Sequence, residues 1–523
     1  MDPLHASYST IPASEVARIC RPMSLSDEEI EKHIDTRLPY RTGWPKLATL
    51  PLVTRFEKNL DSQFPNISKI EASLEEQRLF PILPSEIELV SLWEQGLRDQ
   101  TIETLDNSHL RWTSLSVFRC GFKEDSLEKC IPTILISAAD ANADRWWEDI
   151  LPAIRTLSAP NMEVCLIQGD QFIMDSRTGA ESAARRLQVA DFSKPEISMG
   201  TSCGLAGEKG SGTMGGMVRL EKGGQNFGVF GLSNHHIMMS SGLKAGKDNN
   251  IISQSPFLTK VLVSWSADVR SVAVTANNVS MPPTHPSVQL ESFIKEEIEG
   301  TPDKIGLRVK VEMGEEFKRS VLQNAERTLA KFEQEVSVIQ NSNRLAGHLY
   351  STSGYRTANM NGEDWALDWS LTKLDISRRM ENTIPSGASP ADFMDSQSCL
   401  NKYSDVIHGR LKVAKYGRCT GWTEGVVTAI QTVFSDFGSP YGKKVVAWAA
   451  GTTLYPNNFA VPGDSGSVVF DADDKSSYKC CWVGLLFAAN EGMEIVFFAP
   501  MSLVLKDISN VTGCTVVEPV KSG

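Results

Sequence analysis

The chain lacks several features that would settle its class at once. It has no run of 18 or more apolar residues, so no membrane-spanning helix is expected. Its opening, "MDPLHASYSTIPASEVARIC", has no cationic start followed by an apolar core, which argues against a secretory signal. Basic residues are in the minority: 52 Lys and Arg against 64 Asp and Glu give a net charge of −12. An acidic chain repels phosphate backbones, and no basic, aromatic-interleaved patch offsets this, so no nucleic acid partner is expected. The 10 cysteines are scattered without paired C-x-x-C spacing, so no metal is expected. No Gly-rich loop suited to a phosphate follows a strand, so no nucleotide cofactor is expected either. Together these absences leave an intracellular, cytoplasmic protein with reduced thiols as the expectation.

What is present is enough for a packed fold. Hydrophobic residues make up 41% of 523 and charged residues 22%, which suggests a globular chain of more than one domain. Residues 1–190 read as an α+β domain of regulatory, targeting or pro-segment role. "SLSDEEIEKHI" places Ser26 and Glu29 as a capping box, and "SEIELVSLWEQGLRDQ" continues as helix. "IPTILISAAD", "NADRWWEDILPAIRTL" and "MEVCLIQGD" then read as strand, helix and strand, with Trp146 and Trp147 packing on a helix face.

From about residue 195 to 520 the texture changes. Short apolar runs alternate with Gly, Ser, Asn and Asp turns, as in "TMGGMVRL", "NFGVFGLSN", "KVVAWAAGT" and "CWVGLLFAA". This predicts an all-β barrel or sandwich. One helical interruption is expected at 288–342. Within it, Phe317, Val321, Ala325, Leu329, Phe332, Val336 and Ile339 form an apolar stripe on a helix over 314–342. That stripe packs on its own domain or serves self-association or a partner.

Chemistry concentrates in three places. "VPGDSGSVVF" sets a side-chain-poor turn with Ser465 before an apolar strand. A serine nucleophile needs a base and a carboxylate to orient that base. Only 8 histidines exist, and two adjoin in "FGLSNHHIMMS", where His236 precedes an apolar residue and His235 points the other way if extended. In "DWALDWSLTKL", Asp368 precedes an alternating strand, and Asp364 is the weaker candidate. Read alone, each acid is equally a turn or strand-edge carboxylate, and the serine turn is equally a hairpin turn.

In that order, "LSNHHIM", "LDWSLTKL" and "PGDSGSVVF" resemble the His, Asp and Ser motifs of chymotrypsin-fold (trypsin-like) serine peptidases. "VAKYGRCTGWTEGVVTAI" resembles a segment between the Asp and Ser motifs of α-lytic-protease-like bacterial enzymes and their intracellular fungal relatives; "SGTMGGMVRL" and "VGLLFAANEG" resemble two strands of those relatives. The likeness covers roughly 198–515 and implies a C-terminal double β-barrel with 288–342 as an insertion. It implies Ser465 as nucleophile, His236 as general base and then acid, and Asp368 as its orienter. The N–H groups of Gly463 and Ser465 would form the oxyanion hole, since Gly463 has no Cβ to obstruct it.

Departures from the family carry expectations of their own. Ile237 stands where a disulfide cysteine is usual, in keeping with a reducing compartment. No "IVGG"-like start exists to place a new N-terminus on Asp464, and Arg418 is the candidate partner for that acid. Phe459 replaces the pocket-base acid, so cleavage after Lys or Arg is not expected. Phe459, Val461, Phe487, Ala488 and Ala489 would shape a small or apolar substrate pocket, which the two alanines would narrow or close. The implied function is a serine endopeptidase acting on a protein or peptide, restrained by its N-terminal domain. The alternative is a catalytically silent chymotrypsin-fold binding or signalling module. An esterase of the α/β-hydrolase kind would need a helix after the serine, and "SVVF" reads as strand.

Overall fold

A computed structural model describes residues 77–122, 130–141, 143–159, 161–168, 196–206, 211–238, 260–263, 345–385, 400–437, 439–452, 459–473, 476–490 and 495–522. The capping box at Ser26, the helical insertion at 288–342 and its stripe lie outside the described residues. Among the described residues, no helix is long and apolar enough to cross a membrane.

The chain begins with β1 (Gln77–Phe80), α1 (Ile87–Leu92) and α2 (Arg98–Asn107). Gly96, at φ 149°, kinks the junction between these helices. Next come β2 (Trp112–Phe122), β3 (Ile131–Ala138), α3 (Leu151–Leu157) and β4 (Glu163–Gln168). The expected strand–helix–strand unit is present: β3 and β4 pair in parallel. β3, antiparallel to β2 on one side and parallel to β4 on the other, is buried at every position from Pro132 to Ala138. Trp146 is fully buried and its indole N–H donates to Asp140 at 3.1 Å.

The first barrel follows a short β5 (Glu196–Ile197). It contains β6 (Thr201–Leu205), β7 (Gly212–Met214), β8 (Gly216–Lys222), β9 (Gln225–Ser233), β10 (Lys260–Val263) and β11 (Leu345–Thr352). After the hairpin of β12 (Arg356–Met360) and β13 (Glu363–Leu367), β14 (Ser370–Leu374) returns to it. Pairing runs β8–β9–β14–β11–β10–β6–β7. The two ends, β7 and β8, are one strand bent at Gly215, so the ring closes through that residue. β15 (Arg379–Met380) pairs with β5.

The second barrel closes entirely by hydrogen bonds. After β16 (Lys402–Tyr403) come β17 (Lys412–Gly417), β18 (Gly421–Val427), β19 (Thr432–Phe434), β20 (Val445–Thr452), β21 (Val468–Asp471), β22 (Trp482–Asn490) and β23 (Ile495–Pro500). β17, β18, β20, β23, β22 and β21 pair antiparallel in a closed six-membered cycle. Full closure leaves no unpaired edge in the ring. The interior holds Leu411, Val413, Val427, Phe459, Val469, Val483, Leu486, Val496 and Phe498. The chain ends in α4 (Met501–Thr512), β24 (Thr515–Glu518) and β25 (Val520–Lys521), with β24 returning to β8.

The N-terminal strands are annexed to this second barrel. β19 lies between β20 and β2, with Val433 opposite Leu115 and Phe434 opposite Ser114. The Ser116 and Thr432 hydroxyls are 2.7 Å apart in the buried seam. One apolar cluster runs from Leu79 through Phe118 and Phe434 to Ile508.

Candidate active site

Strand register brings the histidine to the aspartate. β9 and β14 are antiparallel with Ser233 opposite Ser370. His236 lies just past the end of β9, and Asp368 just before the start of β14, so both emerge at the same end. Two further bonds fasten the ends: the Ser370 hydroxyl donates to the Asn234 carbonyl at 2.9 Å, and the Asn234 amide donates to the Asp368 carbonyl at 2.5 Å. Ser353 clamps the next residue, with the Trp369 N–H donating to its hydroxyl at 2.8 Å.

Asp368 then grips His236 twice. Oδ1 accepts from the His236 backbone N–H at 3.0 Å, and Oδ2 lies 2.5 Å from Nδ1. Asp368 is 1% exposed and His236 2%. Burial pushes the carboxyl pKa up, but the charge and hydrogen bonds of His236, aided by His235, outweigh it and hold the carboxyl below its ordinary value. An ionised carboxylate only accepts, so Nδ1 carries the proton in the bond to Asp368. Asp364 does not share this site: it pairs with Lys443 at 2.7 Å on the β12–β13 hairpin.

The serine turn is docked on the first barrel by glycines. A Cβ on Gly215 would lie 2.0 Å from the Gly466 carbonyl oxygen, and one on Gly466, at φ 91°, would lie 2.3 Å from the Thr213 oxygen and 2.6 Å from the Ser233 hydroxyl. Only glycine permits that approach. The Thr213 N–H donates to the Ser465 carbonyl at 2.8 Å, and its hydroxyl donates to the Gly463 carbonyl at 3.0 Å. A Cβ on Gly212 would meet Ile237 on one side, at 1.9 Å, and the Ser465 oxygen on the other, at 2.9 Å. Gly212 and Thr213 thus link the residue after His236 to the backbone of Ser465.

Gly463 has φ 102°, and among the described residues nothing accepts its N–H. The Ser465 hydroxyl donates to the Phe487 carbonyl at 3.5 Å and is sealed from solvent at 0% exposure. The five residues expected to shape a pocket are placed otherwise than as an open cleft. Phe459 and Ala489 face the interior of the second barrel, Phe487 and Ala488 lie in the main core, and Val461 is part-buried. Phe434 of β19 packs on Phe487 with ring centroids 6.4 Å apart and on Phe497 at 4.9 Å.

The expectation for Asp464 is corrected. Its buried partner is Lys415, not Arg418, whose Nη1 donates to the Ser202 hydroxyl at 3.0 Å. Sequence reasoning also passed over Asn234, Thr213 and Ser353, small polar residues whose roles arise only from non-local pairing. His235 was given no part. Its Nδ1 lies 2.9 Å from the Thr352 hydroxyl and its ring meets Tyr355 edge-on at 4.9 Å. Among the described residues, no group of His, Cys, Asp and Glu could hold a metal ion.

No protein-family model matches the chain, and no curated protein does. Solved structures similar to it are serine proteases. A glutamic-acid-specific serine protease aligns at TM-score 0.27 and 10% identity, over 61% of this chain and all of its own. Thermobifida fusca protease A aligns at 0.29 and 11%, over 62% of this chain and 99% of its own. A Cellulomonas bogoriensis chymotrypsin aligns at 0.20 and 15%, over 32% and 74% respectively. At such scores the likeness adds no weight, and the description of the barrels rests on their strand pairing.

Proposed function

We propose that the chain is a serine endopeptidase of chymotrypsin-like, α-lytic-protease-related type. Its triad is His236, Asp368 and Ser465, and its oxyanion donors are the N–H groups of Gly463 and Ser465. The observation that carries this reading is the doubly bonded, buried His236–Asp368 pair, joined through Gly212 and Thr213 to the serine turn. In the proposed reaction the Ser465 oxygen attacks a peptide carbonyl while His236 takes its proton on Nε2. The charge that develops on the carbonyl oxygen falls to the two N–H groups. The amine then leaves with the proton from His236, and water hydrolyses the acyl-enzyme by the same route. Cys120, Cys203 and Cys514 are free thiols, which is compatible with a reducing, intracellular setting.

The sealed Ser465 hydroxyl supports restraint by the N-terminal region. The seam of β2 on β19 bears on Phe434, Phe434 on Phe487, and the Phe487 carbonyl holds the nucleophile. The same burial favours a second reading, a catalytically silent binding module. A fluorophosphonate separates the two. The first reading expects covalent labelling of Ser465 that vanishes in Ser465→Ala and falls in His236→Ala. An unlabelled chain under all conditions would favour the module.

A further inference from the structure

A cavity of about 300 Å³ lies away from the serine, where the N-terminal helices meet the β12–β13 hairpin and β19. Strand register builds one side of it. Trp365 of β13 is opposite Val446 of β20, and Val446 is opposite Val433 of β19. Paired residues share a face of a sheet, so these three stand in a row across the strands. Trp93, at the Gly96 kink between α1 and α2, and Met360, at the end of β12, also line the cavity. Its volume is at the lower end of the range for small-molecule sites, about 300–1,000 Å³.

Two polar features say what would fit. Trp365 is 3% exposed, and its indole N–H is buried with no acceptor among the described residues. A buried tryptophan N–H normally finds a partner, and leaving it without one is costly. The charged lining residues are Glu94, Glu363 and Arg98. Arg98 is already engaged, donating from Nη1 to Glu363 at 2.7 Å and from Nε to Asp99 at 3.1 Å. An anion would therefore meet two carboxylates and a cation that is taken.

We propose that this cavity binds a small, neutral heteroaromatic molecule, its ring packed against Trp93 and Trp365 and a ring acceptor taking the Trp365 N–H. The site joins the N-terminal helices to the strands that lead to Asp368 and Phe434, since β13 ends at Leu367 and Val433 precedes Phe434. The inference is independent of the reading of Ser465, because binding is measured without chemistry at the serine.

The test uses quinoline, a neutral ring with one acceptor, and follows the broadening of its proton resonances by the full chain. Saturable broadening is expected, with half-saturation at about 1 mM or below, as suits a ligand of about ten heavy atoms. Its absence would overturn the proposal. Indole has a donor in place of the acceptor, and quinoline-6-carboxylate is an anion. Both should bind at least about threefold more weakly, and either binding as tightly as quinoline would overturn it. Trp365→Phe keeps a ring but loses the N–H, and should weaken quinoline about threefold to tenfold; parental affinity would overturn the proposal. Met360→Trp fills the cavity from its half-buried side and should abolish binding. Undiminished binding, in a variant that melts as a folded protein, would place the site elsewhere and overturn it too. If neither variant folds, the comparison of the three probes on the unaltered chain decides.

Discussion

Replacing Asp368 by Asn tests the histidine–aspartate geometry with almost no change of shape. The carboxylate accepts two bonds from one residue, the backbone N–H and Nδ1 of His236, at 3.0 and 2.5 Å. An amide can satisfy only the first as an acceptor, through its oxygen on the Oδ1 side. Its NH₂ group then faces Nδ1, which must give up its proton to accept. The proton moves to Nε2, and His236 can no longer take one from Ser465. In the reference triad this reversal of tautomer costs about 10⁴ in rate, or about 5 kcal/mol of transition-state stabilisation. Folding should suffer less. The variant loses a charge-assisted bond of about 1.5–3 kcal/mol but is relieved of burying a carboxylate. The assay is the limiting rate of fluorophosphonate labelling, read beside a thermal melt. Labelling within tenfold of the parent, in a variant that melts as a folded protein, would refute the argument that Asp368 fixes the tautomer.

Three further outcomes follow from particular contacts. Gly215→Ala should abolish labelling and destabilise the fold by about 1–3 kcal/mol, because the new methyl meets the Gly466 carbonyl at 2.0 Å and neither backbone can yield; a melt and labelling at the parental level would contradict it. Phe434→Leu should quicken labelling, since it removes the ring packed on Phe487 and loosens the carbonyl that holds the Ser465 hydroxyl; slower or equal labelling would count against restraint through β19. His235 is shifted below the ordinary histidine value, first by burial and then by His236, with Asp368 opposing. The unfolded chain therefore binds this proton more readily, and stability is lost as pH falls from the ordinary histidine value toward the lower folded one. His235→Gln should narrow the gap between melting temperatures measured at pH 5 and pH 7.5, and an unchanged gap would refute the assignment.

Much of the second half of the chain is legible because alternation and turn chemistry are local. "LSNHHIM", "LDWSLTKL" and "PGDSGSVVF" each sit at a strand end, and the structure places them there. Two further features are written in local sequence. Asn361-Gly362 has the two positive φ values, 56° and 84°, of a tight hairpin, and it joins β12 to β13. Leu503, Val504, Ile508 and Val511 recur at helical spacing before Gly513, whose φ of 64° caps α4. The partner of Asp464 is not legible from its neighbours in sequence. Arg418 is close in sequence and on the turn, whereas Lys415 shares an inward face of β17 with Val413. A lysine on the apolar face of a core strand is a signal in itself, but its partner is fixed only when the serine turn docks. The attachment of β2 to β19 was not legible at all, because strand pairing across more than 300 residues leaves no periodic trace.

The two buried carboxylates divide the site along the barrel boundary. His236 and Asp368 lie just past β9 and just before β14, and every bond they share lies within the first barrel. Asp464 receives its donors from Lys415, Cys419, Thr420 and Val461, all in the second. Each carboxylate therefore finds its donors in its own half, and the boundary between them is crossed by Thr213 to Ser465 and Gly463, by Gly215 against Gly466 and by the Arg418 guanidinium donating to the Ser202 hydroxyl. The neutral hydrogen bonds among these contribute about 1 kcal/mol each, far less than exposing either buried charge would cost. The same boundary is spanned by one apolar cluster, from Val218 and Phe230 in the first barrel to Val468 and Trp482 in the second, so packing as well as these bonds holds the serine turn against the histidine–aspartate pair.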